Sequence, residues 1–296
     1  MSPDRLTRRR CLTAGIVLPL GLAGCGVHPS RPVRSGDSGT KAPFTLAEAV
    51  AGDLRLPGEP TRDAARHPVE TLTFFGLRPG MTVVELWPGV GWYTAILAPW
   101  LARNGGHLIA AGLETTGARP ASAARLMAAY RQRLASRPDG FGKVEVTTFG
   151  PHSGPLAPPA TADMVLTFRN IHNWMAQGFA EKAFHDIAAV LKPGGILGVV
   201  EHRAPPGTVQ DPTAPTGYVT EAYVRTLAEE AGLALSAASE VNANPRDTKD
   251  HPFGVWTLPP TRQSAPDGRP DTPLFDHHKF DAIGESDRMT LRFVKR

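Results

Sequence analysis

The order of apolar and polar positions predicts alternating strands and helices from residue 44 to the C-terminus. Short apolar segments predict seven strands, at residues 81–86, 107–113, 143–149, 163–168, 196–203, 233–240 and 289–294. Helical spacing predicts helices at residues 66–80, 92–106, 121–136, 179–195 and 220–232. The helix over 179–195, for example, has Phe184, Ile187 and Leu191 on one face. This alternation predicts a doubly wound α/β domain with a mainly parallel sheet.

Residues 242–287 interrupt this pattern. They are rich in Pro and Asp and have no periodicity, which predicts a long functional loop or a loosely ordered cover. Within them we interpret RDTKDHP, residues 246–252, as a loop over the site with exposed charges. Arg246 and Lys249 are candidates for gripping a substrate there.

The first 43 residues have the pattern of an export signal followed by a tether. A basic start, MSPDRLTRRR, precedes the apolar run CLTAGIVLPLGLAG, which is shorter than the ~20 residues of a membrane span. TRRRCL at 7–12 resembles a twin-arginine motif, and LAGC at 22–25 resembles a bacterial lipobox that would lipidate Cys25. We therefore predict a signal peptide over 1–24, a lipidated Cys25 with a flexible tether to residue 43, and a folded domain over 44–296. The protein is then expected on the periplasmic side, anchored to the membrane through Cys25; the alternative is an accidental apolar N-terminus.

Charge and cysteine content exclude several functions. The 296-residue chain has a formal net charge of +4, most of it from the leader, so the rest carries only +1. Nucleic-acid-binding proteins have a sustained basic excess, so no nucleic-acid partner is predicted. Both cysteines, Cys11 and Cys25, lie in the leader region, so the domain has no disulfide and no cysteine nucleophile.

Residues able to do chemistry follow several predicted strands. In open α/β sheets, ligands bind beyond the carboxyl ends of the strands. The first strand runs into VVELWPGVGWYT, residues 83–94, whose alternating glycines predict a tight turn into a helix. Glu114 follows the second strand, RNIHNW at 169–174 the fourth, and EHR at 201–203 the fifth. We expect the functional site to be built from these segments.

Several of these stretches carry a family resemblance. ELWPGVG at 85–91 resembles the first motif of class I S-adenosylmethionine-dependent methyltransferases, an acid followed by alternating glycines. DMVL at 163–166 and LKPGG at 191–195 are similar to that family's fourth-strand start and the turn before its fifth strand. RDAARHP, FRNIHNW, NANPRDTKDHP and DRMTLRFVKR resemble a group of exported predicted methyltransferases. The resemblance implies a seven-stranded sheet with an antiparallel final strand and S-adenosyl-L-methionine as cofactor, and it specifies no substrate.

The family's cofactor residues carry over only in part. Its strand-end acid falls on Glu85, but Trp87 replaces the first glycine. The acid that would hold the ribose falls on Gly112, so the nearest candidate is Glu114, and no acid follows the third strand to hold the adenine amine. The cofactor-binding residues implied by the resemblance are Glu85, Trp87, Gly89, Gly91, Trp92, Tyr93 and Glu114.

Trp87 has two interpretations. Its indole, with Trp92 and Tyr93, would form an aromatic collar around the sulfonium cation of the cofactor. Alternatively, Trp87 is a hydrophobic plug in an unused pocket. A nicotinamide dinucleotide is disfavoured, because Thr94 stands where a third small residue is needed and the strand-end acid would repel a pyrophosphate.

Methyl transfer requires alignment of the reactants and sometimes a base. His172, beside Asn170, is the first candidate for that base and His202 the second; each has the alternative of a structural histidine. His172, His202 and His251 together, or DHH at 276–278, would suit a metal, but their spacing matches no ligand pattern and no metal is predicted.

The first functional hypothesis is therefore a lipid-anchored, exported S-adenosylmethionine-dependent methyltransferase acting on a small-molecule acceptor. Its difficulty is that the cofactor is made in the cytoplasm. The second hypothesis is a non-catalytic module that binds a ligand or partner on a methyltransferase fold.

Overall fold

The computed structural model describes residues 44–116, 120–266 and 268–296. The predicted signal peptide over 1–24, Cys25 and the tether to residue 43 lie outside the described residues. No helix in the described ranges combines the length and the apolar character needed to cross a bilayer.

Each predicted strand has a counterpart in the structure. The strands are β1 (Thr82–Leu86), β2 (His107–Leu113), β3 (Val144–Phe149), β4 (Ala162–Phe168), β5 (Leu191–His202), β6 (Leu233–Ser239) and β7 (Arg288–Lys295). The helices are α1 (Leu46–Val50), α2 (Asp63–Arg66), α3 (Pro68–Phe75), α4 (Thr94–Arg103), α5 (Pro120–Ser136), α6 (Pro138–Phe141), α7 (Ile171–Ala176), α8 (Ala180–Val190), α9 (Glu221–Glu230) and α10 (His278–Ile283). Short 3-10 turns cover Pro60–Arg62 and Gly254–Thr257.

The strands form one seven-stranded sheet in the order β3-β2-β1-β4-β5-β7-β6. Pairs β1–β2, β2–β3, β1–β4 and β4–β5 are parallel, whereas β7 runs antiparallel to both β5 and β6. The predicted doubly wound, mainly parallel sheet with an antiparallel final strand is confirmed. The strand order changes direction between β1 and β4, which makes their carboxyl ends the switch point where such sheets bind ligands.

Both faces of the sheet are covered by apolar residues. Along β1, Val84 and Leu86 pack on one face with Trp174, while Val83 packs on the other with Ile96. Because successive side chains of a strand alternate between faces, Glu85 points to the side of Val83. The four residues from Val83 to Leu86 are all buried, as expected for a central strand of a parallel sheet.

β5 begins earlier than its apolar pattern predicts. The helix expected over 179–195 ends at Val190, and Leu191 starts the strand instead of completing the helix face. Proline removes a helical hydrogen bond and pushes the preceding residue to extended backbone, so Pro193 ends the helix. Pairing with β4 is irregular here, between Ala162 and Met164.

The segment over 242–287 is anchored by buried polar groups. Asn242 donates from Nδ2 to Thr71 Oγ1 and Thr290 Oγ1, both at 3.0 Å, and joins the segment to α3 and β7. A buried amide is stabilised only when such partners are present. Apart from one 3-10 turn and α10, the described part of the segment, residues 242–266 and 268–287, is irregular backbone.

The expectation that RDTKDHP exposes its charges is wrong for Asp247 and His251, which are both buried. Asp247 accepts hydrogen bonds from the Tyr218 hydroxyl, from His251 Nε2 and from the backbone N–H of Asp287, at 2.7–2.9 Å. A carboxylate surrounded by donors tolerates burial, and the hydrogen-bonding partners come from outside the sequence stretch itself.

The two substrate-gripping candidates in this segment are already bonded. The ammonium of Lys249 lies 2.8 Å from Asp287 Oδ2, and Arg246 donates to the carbonyl of Ala282 at 2.8 Å. Both side chains therefore bond to other residues of the same 242–287 segment.

Candidate functional site

A tight turn with positive backbone angles follows β1. The φ angles are 46° at Trp87, 61° at Gly89 and 88° at Gly91. A Cβ at Gly91 would lie 3.2 Å from the Tyr130 ring, whereas one at Gly89 would meet no atom within 4 Å. Gly91 therefore allows α5 to pack closely, and Gly89 borders open space. Trp87 holds a conformation that favours glycine, which implies that its side chain makes contacts that stabilise it.

Glu85 is buried beneath this turn. Its Oε2 accepts a hydrogen bond of 2.6 Å from Thr94 Oγ1, at the start of α4, and Thr94 Oγ1 lies 3.2 Å from the Tyr130 hydroxyl. Burial raises the pKa of Glu85 to about 7. Through Thr94, the buried Glu85 thus connects the turn after β1 to α4 and α5.

The indole of Trp87 packs into an aromatic cluster formed with Phe149, Trp174 and Phe179. The ring centroids lie 5.7–6.3 Å from that of Trp87, with tilted or edge-on geometry. The indole Nε1 donates to the carbonyl oxygen of Phe149 at 2.8 Å. This arrangement fits the hydrophobic plug better than a ring free to contact a ligand.

Trp92 and Tyr93 lie in the other hydrophobic cluster. Tyr93 stacks on Phe168 with ring centroids 3.5 Å apart, and the Arg66 guanidinium lies 4.6 Å from the Trp92 ring centroid. Within the described residues, Trp87 shares no ring contact with either of them. The structure therefore does not assemble the predicted three-ring collar, because Trp87 packs against the cluster on one face of the sheet whereas Trp92 and Tyr93 both lie in the cluster on the other face.

Glu114 lies just beyond β2 and is bonded to the neighbouring loop. Its Oε2 accepts from the backbone N–H of His152 at 3.0 Å, and its Oε1 accepts from Thr116 Oγ1 at 2.8 Å. Burial raises the pKa of Glu114, but these hydrogen bonds outweigh it and leave the pKa below its ordinary value. The carboxylate is charged and stands at the same edge of the sheet as the turn after β1.

His172 and His202 are brought together by a buried carboxylate, Glu201. Oε1 of Glu201 lies 2.9 Å from His172 Nδ1 and accepts from the backbone N–H of His202 at 2.9 Å, while Oε2 accepts from the N–H of Ile171 at 2.6 Å. Asn173 Nδ2 lies 2.9 Å from His172 Nε2. Since a carboxylate accepts, His172 carries its proton on Nδ1, and its Nε2 accepts the hydrogen bond from Asn173 Nδ2.

His202 and Asn170 lie at the same edge of the sheet, at the carboxyl ends of β5 and β4. His202 Nδ1 lies 2.5 Å from Ser286 Oγ, and burial, followed by the charge of His172, lowers the pKa of His202 well below its ordinary value. Asn170 donates from Nδ2 to the carbonyl of Leu86 at 2.9 Å and so ties the end of β4 to the end of β1.

A metal could use His172, Glu201 and His202, whose ligand atoms lie within 4.8 Å of one another. Both oxygens of Glu201 and Nδ1 of each histidine already have hydrogen-bond partners, and His172 Nε2 lies 2.9 Å from Asn173 Nδ2. His251 bonds Asp247 and does not take part.

Four arginines converge on a single carboxylate beside the histidines. Glu285 lies 2.6 Å from Arg62 Nε, 3.4 Å from Arg66 Nε, 3.0 Å from Arg288 Nη1 and 3.9 Å from Arg169 Nη1. The surrounding positive charges hold the pKa of Glu285 at about 2 despite its burial. Burial, together with the charge of Arg169, lowers the pKa of Arg66 to about 8.

Sequence reasoning missed this cluster and the role of Glu201. Arg169 and Glu201 both lie in stretches that follow predicted strands. Their position at the end of a strand was the only feature of the sequence that pointed to them. The other members come from residues 62–66 and 285–288, more than 200 positions apart. No local pattern connects them.

Solved structures share this architecture. The [4+2]-cyclase SpnF aligns with 84% of this chain and 91% of its own at 16% identity, with a TM-score of 0.51. Phosphoethanolamine N-methyltransferase 2 of Haemonchus contortus, solved with S-adenosyl-L-methionine, aligns with 84% of this chain and 56% of its own at 14% identity and a TM-score of 0.50. A SAM-dependent methyltransferase from Aquifex aeolicus aligns with 67% of this chain and 94% of its own, at 21% identity and a TM-score of 0.47.

The chain has the class I methyltransferase fold. At these identities the similarity concerns the methyltransferase fold alone, and one protein that shares it is named for a cyclisation. No protein-family model matches the sequence, and no curated protein matches it. Function therefore has to be argued from the site.

Proposed function

We propose that the protein transfers a methyl group from S-adenosylmethionine to a small-molecule acceptor. The turn after β1 supports this most strongly: at the switch point of a methyltransferase fold, a buried acid leads to two positive-φ glycines, one of which borders open space. The same fold holds S-adenosyl-L-methionine in the Haemonchus contortus enzyme. When bound, the cofactor supplies an electrophilic methyl group.

Two features of the described residues fit this cofactor, the open space beside Gly89 and the carboxylate of Glu114. Open space beside Gly89 allows a ligand to approach the backbone closely. Glu114 uses one acceptor position on each oxygen, and a carboxylate offers about four, so it can still accept hydrogen bonds from ribose hydroxyls. Glu85 supports the turn from beneath.

His172 is the proposed base for the acceptor. Nε2 would accept the proton once the Asn173 amide that donates to it moves aside, and Glu201 orients the imidazole and would stabilise the resulting positive charge. His202, with its lowered pKa, is the weaker base. We expect His172→Gln to lower turnover by about 100-fold or more while leaving the affinity for S-adenosylhomocysteine unchanged. Equal losses in turnover and affinity would instead assign His172 to the structure of the site.

A non-catalytic binding module on the same fold remains the second candidate. The packing of Trp87 against Phe149, Trp174 and Phe179 favours it, since a filled cluster stands where the family has a glycine.

Calorimetry separates the two functions. The purified full-length protein is titrated with S-adenosylmethionine and with S-adenosylhomocysteine, and its thermal midpoint is followed with each. Methyl transfer predicts binding of both ligands with a raised midpoint. Absence of heat and of any thermal shift from both ligands would leave the binding module.

We also propose that the protein works outside the cytoplasm as a lipid-anchored protein. The order of arginines, apolar run and LAGC sequence ending at Cys25 supports this location. The twin-arginine route carries folded proteins, which would let a cofactor bound in the cytoplasm accompany the chain for one turnover.

A further inference from the structure

The arginine cluster around Glu285 carries more positive charge than its own carboxylate can balance. Arg62, Arg66, Arg169 and Arg288 face one acid, so the cluster has a formal charge of +3. Buried charge of one sign is costly unless an opposite charge is present.

The neighbouring carboxylates are committed to other cations. Asp63 pairs with Arg55 at 2.7 Å, and Asp287 pairs with Arg203 at 2.9 Å and with Lys249 at 2.8 Å. The charge of Asp287 favours the charged form of Arg288, but neither acid forms an ion pair with any of the four arginines in the described residues. Most of the excess positive charge is therefore available to a bound anion.

Three of the four guanidinium groups also have unused donors. Arg288 uses Nε, Nη1 and Nη2 in bonds to Ser286 O, Glu285 and Ala65 O. Among the described residues, by contrast, the only hydrogen bond of the Arg66 guanidinium is its 3.4 Å contact from Nε to Glu285, and the Arg169 guanidinium has a single ion-pair contact at 3.9 Å. Arg62 Nη2 is buried without a partner.

The cluster lies between the two halves of the candidate site. Arg66 covers the ring of Trp92, which follows Gly91 in the turn after β1. On the other side, Glu285 is followed by Ser286, which bonds His202. An anion at the arginines would therefore place the rest of its molecule beside the turn and the two histidines.

We propose that the methyl acceptor carries an anionic group, a carboxylate or a phosphate, that Arg66, Arg169 and Arg62 bind. This assignment of the acceptor class rests on the proposed function. Planar guanidinium groups match both oxyanions in geometry as well as in charge. A cofactor carboxylate would balance only one of the three excess charges, which leaves the larger share for the acceptor.

Inorganic phosphate tests the proposal directly. Titrated in a chloride buffer into the full-length protein, phosphate should bind, and Arg169→Gln should weaken its binding by at least about tenfold. The Arg169 side chain, like that of Arg62, is partly exposed, so its replacement is compatible with folding. The matched control is Arg137→Gln, which removes an exposed arginine paired with Asp53 and should leave phosphate binding unchanged.

A second variant gives the opposite expectation. Glu285→Gln removes the internal carboxylate that competes for the arginines, so it should bind phosphate at least about tenfold more tightly than the wild type. Phosphate should also restore the thermal midpoint that this variant loses. Weaker phosphate binding in a folded Glu285→Gln protein would contradict the proposal.

Competition between phosphate and S-adenosylhomocysteine shows whether the acceptor or the cofactor occupies the arginine cluster. Simultaneous binding, with each affinity unchanged by the other ligand, supports an anionic acceptor. Competitive displacement would overturn the proposal and give the arginines to the carboxylate of the cofactor. No phosphate binding to the wild type would remove the anion site altogether, whereas phosphate binding without any S-adenosylhomocysteine binding would keep the anion site and remove methyl transfer.

Discussion

Trp87 illustrates how one residue can depart from a family pattern without disrupting the fold. Its φ of 46° belongs to the region where glycine is favoured, and a bulky side chain there costs of order 1–3 kcal/mol. The cluster with Phe149, Trp174 and Phe179, and the hydrogen bond to Phe149 O, offset that strain.

Replacing Trp87 with Ala should lower the free energy of unfolding by about 2–4 kcal/mol, because the aromatic cluster loses one ring and the strained angle remains. Affinity for S-adenosylmethionine should be unchanged or tighter, since the ring is committed to the cluster. Urea unfolding and calorimetry measure the two effects. Trp87→Phe, which keeps a ring but loses the N–H donor, serves as the control. A large loss of affinity in Ala but not in Phe would restore the cation–π role.

Glu85 should make stability depend on pH. Its folded pKa of about 7 lies above its unfolded value of 4.5, so the folded state binds more protons between these values and stability falls as pH rises through this window. At pH 8, Glu85→Gln should therefore unfold with a free energy higher by up to about 3 kcal/mol, and at pH 4 the two proteins should differ little. Urea unfolding across pH 4–8 measures the difference. Glu230→Gln, an exposed replacement in α9, should show no such trend.

Helices and strands were predictable where the residues that determine them lie close together in the sequence. α9, predicted over 220–232, begins after Thr220, whose hydroxyl caps the helix by accepting from the N–H of Tyr223. The start of β5 was mispredicted because apolar spacing continues through Leu191 and only the following Pro193 marks the break. Residues 242–287 have no periodic signal, and their order comes from distant partners of Asn242 and Asp247.

Asp247→Asn should detach that segment. The amide offers one acceptor oxygen in place of two, so donors from Tyr218, His251 and Asp287 lose partners, and the free energy of unfolding should fall by about 3 kcal/mol. Hydrogen exchange should accelerate over 242–287 more than in β1 and β4. Asp250→Asn, an exposed change three residues away, should leave both quantities unchanged. Uniform acceleration across the sheet would show that Asp247 supports the whole domain instead.

At the scale of the whole molecule, the leader and the folded domain require separate tests. If Cys25 is lipidated, the protein should sediment with membranes, and Cys25→Ser should release most of it into the soluble fraction. Cell fractionation with immunoblotting measures the distribution, and Cys11→Ser, inside the predicted signal peptide, is the matched control. Membrane association that survives Cys25→Ser would contradict the lipid anchor.

The class of fold and the segments of the site could be predicted from the amino-acid sequence alone. Apolar periodicity and punctuation by Gly and Pro depend on neighbours a few positions apart, so the strands, most helices and the glycine turn after β1 were predictable. The strand-end rule then located Glu85, Glu114, His172 and His202 at one edge of the sheet.

The contacts between those segments became visible only in the folded protein. Glu201 orients His172 because β4 and β5 are neighbours, and Arg62 and Arg66 reach Glu285 across more than 200 residues of chain. Trp87 turned out to pack with Phe149 and Trp174 instead of with its neighbours in the turn. Burial, charge balance and side-chain direction depend on contacts between distant segments, and a linear pattern does not contain them.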